Sequence, residues 1–404
     1  MRTFLINIVT TTISVIVCVG IIEAGLRIYY YGSLTPFIGG PKLYRPDRQV
    51  GFSLNPNLNS SQQRVAFIVP VTTNSLGLRG PEPGDKAGRF RIAVLGDSHT
   101  FGSGLRDEET LPARLELELN AQSGSNIFQV VNAGSPAHST VQELIQIRRL
   151  APKMDADLWI LAFTPENDIQ YNTAELRRQM TRGPRRPVAD IAADGTLTFD
   201  YAGAERYFRK NSWRLEGPLQ DRPWYENTAL YQRGKIAWKS FGGPQDYDPN
   251  IVFGRPFQSE FLVSDASDRP TAAEYEALWA HGWHVTQRLI EEIKSEAEKS
   301  ESRFAMISMP ADIQVMKSKQ EAALKQFPEL KFDLQRGNRE LAALGAERRI
   351  PVFDILTPLL KARDAGQTDL HYTLFDSHMK PLAHRIMAKS LARDLLASGL
   401  LPEN

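Results

Sequence analysis

Short apolar runs alternate with stretches of helical periodicity, and this alternation limits the chain more than any other feature. FRIAVLG (90–96), NIFQVVNAG (126–134), DLWILAF (157–163), RFAMISM (303–309) and IPVFDI (350–355) are short and rich in β-branched or aromatic residues. They are expected as buried strands. Helical spacing fills 108–121, 141–151, 271–298, 317–346 and 380–398. A strand, a helix and another strand in succession favour parallel pairing, and a parallel sheet must be covered on both faces. The expected fold class is α/β: a three-layer α/β/α sandwich around a five-stranded, mostly parallel sheet. Residues 170–270, rich in Arg, Pro, Trp and Tyr, break the rhythm and read as an insertion. Short strands are expected in it near 197–201 and 257–263.

The N-terminus sets a second constraint. Residues 4–22 carry no charge, and 19 residues of helix cross ~30 Å of hydrocarbon. The reading is a single-pass transmembrane anchor (1–23). The alternative is a cleaved signal peptide, whose only small-x-small site is Cys18-Val19-Gly20. Val17 before Cys18 argues against lipid attachment. Tyr29-Tyr30-Tyr31 suits an interfacial aromatic belt. Residues 24–89 read as a juxtamembrane extension packing on the main domain, and 90–400 as that domain. In the extension, GGPKLYRPDRQVGFSLNPNLN reads as loop and 65–73 as a strand held to an edge by Pro70. Flanking charges leave the topology open. The main domain is expected on the periplasmic or extracytoplasmic side. With Cys18 as the one cysteine, no internal disulfide or cysteine metal cluster can form. The net charge of +1 gives no electrostatic case for nucleic acid.

Four segments carry chemistry. Ser98, in VLGDSHTFGSG, lies just past the first strand of the sheet, at the carboxyl end where such folds place their sites. Alone, the same serine reads equally as a helix cap. Asp376 and His378, in Phe375-Asp376-Ser377-His378, precede the last helix. They could supply a base for a serine hydroxyl and a carboxylate to orient it. An isolated Asp-x-His is more often a turn. Pro165-Glu166-Asn167-Asp168 follows the third strand, where an asparagine amide could meet a developing oxyanion; Asn-Asp also favours turns. Asn132-Ala133-Gly134-Ser135-Pro136-Ala137 follows the second strand.

The order of these blocks, over about 90–170 and 300–398, resembles the SGNH/GDSL hydrolases. TTNSLGLRG upstream is similar to a segment preceding GDS in many membrane-anchored bacterial members. The resemblance implies a flavodoxin-like sheet of the SGNH type and a serine nucleophile, Ser98, whose backbone N–H also serves the oxyanion hole. It implies Asn167 as the side-chain donor of that hole, His378 as general base and Asp376 as its orienting carboxylate. It implies no metal and no organic cofactor. Two positions depart from the family pattern. The glycine expected five residues after Asn132 is Ala137, whose N–H becomes the second backbone donor if the backbone tolerates a Cβ there. The pair is Asp-x-His rather than Asp-x-x-His.

Lesser candidates are His99 and His138, each read as a local hydrogen-bonding residue, His384 as a residue packed on the last helix, and Glu166. No HExxH and no Walker-type loop occurs. In the insertion, Trp213, Trp224, Tyr225, Tyr231 and Trp238 lie amid Arg206, Arg209, Arg214 and Arg222. They either pack a lid or face sugar rings and acidic groups. The leading expectation is an esterase or O-acyltransferase working on O-acetyl or other acyl esters of an envelope glycan, with a membrane acyl-donor partner for the transferase. The alternatives are a lipid esterase and a noncatalytic glycan-binding or assembly protein on a hydrolase scaffold.

Overall fold

The computed structural model describes residues 1–31, 34, 42–64, 67–165, 167–178, 186–212, 224–242, 272–326, 333–372 and 376–402. Helix α1 (Arg2–Tyr31) extends the uncharged run at both ends, and residues 1–22 are exposed along their whole length. Two hairpins follow: β1 (Tyr44–Asp47) with β2 (Gly51–Leu54), and β3 (Asn59–Gln63) with β4 (Ile68–Thr72). The first replaces part of the expected loop. Its turn is set by Asp47, whose Oδ1 accepts the Gln49 and Val50 N–H groups at 2.9 and 3.1 Å. Asp47 also pairs with Arg149 at 2.8 Å. No alternation of apolar residues announces a hairpin built this way. Pro70 lies in a two-stranded ladder, where both strands are edges.

The main sheet holds β5 (Phe90–Gly96), β6 (Phe128–Gly134), β7 (Leu158–Phe163), β10 (Arg303–Ser308) and β11 (Val352–Phe353). Their order is β11-β10-β7-β5-β6 and every pairing is parallel. Counted within the sheet, this is the flavodoxin-like order 2-1-3-4-5, with its switch point between the first and third strands. Gly96 pairs with Gly134 on one side and Ala162 on the other, so the carboxyl ends are level there.

Side chains alternate across this sheet as the pleat requires. Ile92 and Val94 of β5 face α3 (Leu111–Ser123), α13 (Leu356–Asp364) and α14 (Pro381–Leu396). Ala93 and Leu95 face α4 (Thr140–Met154), α9 (Ala272–Lys299) and α12 (Arg336–Arg348). These are the two outer layers of an α/β/α sandwich. Each fully buried Leu or Ile contributes about 1.5–3 kcal/mol, so the two apolar layers dominate the stability. Shorter helices punctuate the strand ends: α2 (Ser98–Phe101), α5 (Asp168–Asn172), α6 (Ala174–Arg178) and α10 (Asp312–Val315). The expected helix over 317–346 is two, α11 (Lys317–Gln326) and α12. The last expected strand shrinks to two residues at the sheet edge, because it pairs only with β10.

Of the insertion, the described residues give a hairpin, β8 (Val188–Ile191) with β9 (Leu197–Asp200), then α7 (Ala202–Asn211) and α8 (Ala229–Gly242). The strand expected at 257–263 lies outside the described residues, as do Trp213, Arg214 and Arg222.

The extension is built into the domain. Leu43, Leu54, Leu58 and Val71 form a small core with Phe101 of α2. Gln62 bonds Ser103 Oγ and the Gly104 N–H, both at 3.0 Å. Arg79 is buried, and its guanidinium donates to the carbonyls of Phe101 (2.8 Å), Gly102 (2.7 Å) and Leu105 while pairing with Asp107 at 2.7 Å. Arg79→Met leaves three carbonyls unmet and takes the cation from Asp107, which keeps its two bonds from Thr72, and should cost about 3 kcal/mol of stability in chemical denaturation. Asp107→Asn should cost less, since Asp107 keeps 23% exposure and can hydrate.

Candidate active site

Strand β5 must turn sharply into α2, and glycine makes that possible. A Cβ on Gly96 would fall 2.2 Å from Thr100 Oγ1. A Cβ on Gly134 would fall 2.3 Å from the Phe101 backbone nitrogen. Both lie far inside contact distance, so α2 sits directly on the ends of β5 and β6. Ser98 is its first residue and is half-buried. Asp97 caps the helix: its Oδ1 accepts the His99 N–H at 2.8 Å. Asn132 holds the far end, donating from Nδ2 to the Thr100 and Phe101 carbonyls at 3.1 and 3.4 Å.

A hydrogen-bonded chain runs from Ser98. His378 Nε2 lies 2.8 Å from Ser98 Oγ, and His378 Nδ1 lies 2.6 Å from Asp376 Oδ1. The carboxylate can only accept, so it fixes the proton on Nδ1 and leaves Nε2 to accept from the serine hydroxyl. Burial opposes ionisation of Asp376, but the charge and two hydrogen bonds of His378 outweigh it and hold the carboxyl below its ordinary value. The short Asp-x-His spacing works because Asp376 Oδ1 also accepts the His378 backbone N–H at 2.9 Å, folding the aspartate back beside the ring. The loop is tied at its base by the His371–Met379 bridge and by Tyr372, whose hydroxyl donates to the Gly104 carbonyl at 2.8 Å.

The expected oxyanion donors have distinct settings. Asn167 caps α5, and its Nδ2 donates to Asp97 Oδ2 at 2.6 Å. An amide nitrogen has two hydrogens, so one remains for a ligand. Asp97 thus braces both the turn of Ser98 and the side chain of Asn167. Ala137 is half-buried with φ +64°, in the left-handed region that costs an L-residue roughly 1–2 kcal/mol. Among the described residues, neither the Ser98 nor the Ala137 N–H has a hydrogen-bond acceptor.

The other histidines are placed differently. His384 lies buried in α14, and burial drives its pKa down to about 3. Its bonding does not reach Ser98. His138 is buried between Phe52 O (3.3 Å) and Gln146 Oε1 (3.2 Å), and burial takes its pKa to about 4. His99 is buried with its ring 5.0 Å from that of His378. Glu166 lies outside the described residues. Asp97 and Arg79 were not singled out by the motif reading, although GDS and TTNSLGLRG contain them; Asn132 was named only as the start of its block, with no role of its own.

Behind the site, Glu143 of α4 and Asp168 of α5 are fully buried. Burial raises both pKa values, Glu143 well above the ordinary value, and each is raised further by neighbouring acids. The folded state therefore holds protons that the unfolded chain releases above about pH 4. Their stabilising share is present below that pH and is lost as pH rises through the raised folded values. Glu143→Gln is neutral at every pH, so it should raise stability over the wild type more at pH 8 than at pH 5; an equal effect at both would show Glu143 ionised in the fold. Ala137→Gly should raise stability by about 0.5–1 kcal/mol, because release from the left-handed strain exceeds the added backbone entropy. Denaturation curves of the variant and wild type check it.

No family model and no curated protein matches the chain. Solved structures do. A lipolytic protein of the G-D-S-L family from Desulfitobacterium hafniense DCB-2 matches at 12% identity and a TM-score of 0.36, over 76% of this chain and 99% of that one. A G-D-S-L lipolytic family member from Veillonella parvula DSM 2008 matches at 12% and 0.35, over 76% and 99%. A catalytic mutant of an acetylxylan esterase from Geobacillus stearothermophilus matches at 9% and 0.36, over 79% and 100%. At such identities and TM-scores the likeness carries no weight of its own. The parallel sheet of order 2-1-3-4-5, with Ser98 and Asn167 just past strands β5 and β7 and His378 bonded to Ser98, is on independent ground the arrangement that resemblance to the SGNH/GDSL hydrolases implies.

Proposed function

We propose that the chain is a serine esterase that works through an acyl-serine intermediate. The observation that carries this is the continuous chain Ser98 Oγ, His378, Asp376, with separations of 2.8 and 2.6 Å. Ser98 Oγ attacks the ester carbonyl while His378 Nε2 takes its proton. Negative charge on the former carbonyl oxygen is met by the N–H groups of Ser98 and Ala137 and the free amide hydrogen of Asn167. The intermediate collapses: the carbonyl reforms, the bond to the alcohol oxygen breaks, and the imidazolium gives that oxygen its proton. Water, deprotonated by His378, then attacks the acyl-serine and releases the carboxylic acid. If a sugar hydroxyl takes the place of water, the same step is acyl transfer.

The substrate we propose is an O-acyl ester, such as O-acetyl, of an envelope glycan, presented to an enzyme held by α1. Support comes from the aromatic residues packed against His138, the residue after Ala137. Tyr207 of α7 packs on Phe52 and Phe52 on His138, with ring centroids 6.2 and 6.0 Å apart. Arg186 lies over Phe52 and Tyr171, at 5.7 and 4.6 Å. Rings with a guanidinium among them suit a sugar bearing acidic groups.

With a small activated acetyl ester, Ser98→Ala and His378→Ala should each lower kcat by at least about 10³-fold, and Asn167→Ala by about 10²–10³-fold. His384→Ala should leave turnover largely intact. A fluorophosphonate should label wild type but not Ser98→Ala. No turnover and no labelling would favour a noncatalytic binding protein. Faster reaction with longer acyl chains would favour a lipid esterase.

A further inference from the structure

Helix α1 is bare for only part of its length. Every residue from 2 to 22 is exposed, whereas Glu23, Ala24, Leu26 and Arg27 are partly covered. The cover includes α8 of the insertion. Glu23 accepts the Ala229 and Leu230 backbone N–H groups, one on each carboxylate oxygen, both at 2.8 Å. These are among the unsatisfied donors at the start of a 14-residue helix, where a carboxylate is favoured. Arg27 holds the same carboxylate at 2.6 Å. The bare stretch of 21 residues spans roughly 31 Å, close to the ~30 Å of bilayer hydrocarbon. The folded domain therefore meets α1 where the hydrocarbon would end.

That junction carries an apolar surface. Trp224 is 80% exposed, Tyr225 44% and Leu230 38%. Among the described residues beyond α1, the only other large apolar side chains this exposed are Leu34, Leu117 and Leu324. Three of the six thus fall within seven residues of sequence, directly before and inside the turn that Glu23 caps. Tyr29, two turns along α1 from Glu23, is also 80% exposed. Trp and Tyr with a polar edge and an apolar body are the side chains that settle at the headgroup level. Trp224 and Tyr225 meet edge to face at 6.1 Å, so they present one surface.

We propose that residues 224–230 are a second membrane contact, with Trp224, Tyr225 and Leu230 seated in the headgroup region of the bilayer that α1 crosses. This rests on reading α1 as an anchor. It assigns two of the insertion's aromatics to lipid and not to sugar, and it pins the insertion to the membrane surface beside the catalytic domain.

Position-dependent quenching tests it on the full-length chain in phospholipid vesicles. Cys18→Ala leaves no cysteine, and a single environment-sensitive thiol fluorophore is then placed at Trp224→Cys, Leu230→Cys or Ile13→Cys. Lipids carry a nitroxide either near the headgroup or near the end of the acyl chain. The proposal expects labels at 224 and 230 to lose most of their emission to the headgroup nitroxide and little to the deep one, with the label at 13 showing the reverse order. Quenching at 13 without quenching at 224 and 230 overturns the second contact and leaves the anchor standing. No quenching at 13 overturns the anchor, and the second contact falls with it. The paired reporters at 224 and 230 guard against a variant that misfolds locally.

Discussion

The site depends on one close approach, the backbone of α2 against the ends of two strands. With no Cβ at Gly96 or Gly134, the turn that carries Ser98 sits lower on the sheet than any side chain would allow. Asn132 and Arg79 then take up the carbonyls at its far end, and Asp97 takes up the amide at its near end. The turn is thus held by side chains from β6, from the extension and from itself. Ser98 gains a fixed direction without strain in its own backbone. The partner loop is aimed at it by two ties, the His371–Met379 bridge and the Tyr372 hydroxyl on Gly104.

Electrostatics around this turn are sorted by burial. His99, His371 and His384 are all buried, and burial, with the mutual influence of neighbouring cations, pushes each below the ordinary imidazole value. They stay neutral at neutral pH. Of the imidazoles around this turn, His378 is the one with a carboxylate on its Nδ1 and the Ser98 hydroxyl at its Nε2. Neutral neighbours spare the imidazolium of the proposed reaction any repulsion. On the other side of the sheet end, Glu143 is held neutral by the same rule. Asp97 is therefore braced by hydrogen bonds and not crowded by a second full charge from α4.

Sequence periodicity revealed the sheet because its strands are buried on both faces and read as unbroken apolar runs. The order of the blocks also marked the strand ends on which Ser98 and Asn167 stand and the loop before the last helix that carries His378. What escaped was everything set by single polar contacts. The β1–β2 hairpin is made by Asp47 and Arg149, a residue pair 102 positions apart, and no local pattern encodes it. The role of Arg79 depends on three carbonyls that face it only after α2 has folded. The bond from Asn167 to Asp97 spans 70 positions and joins two blocks that the motif reading treated as separate. Strand 350–355 was read too long because apolar character alone does not say how much of an edge finds a partner.

The cap that Glu23 places on α8 links two parts of the chain that are made far apart in time. Glu23 leaves the ribosome 206 residues before Ala229, the backbone group it serves. Until then the carboxylate has Arg27 for company. At the start of α8, Thr228 Oγ1 accepts the Tyr231 N–H, while Ala229 and Leu230 donate to Glu23. The contact between the insertion and α1 therefore forms only after residue 229 has been made, when α1 and the two hairpins that follow it have long been synthesised. Synthesis thus sets the earliest moment at which the insertion can close on the helix where the chain began.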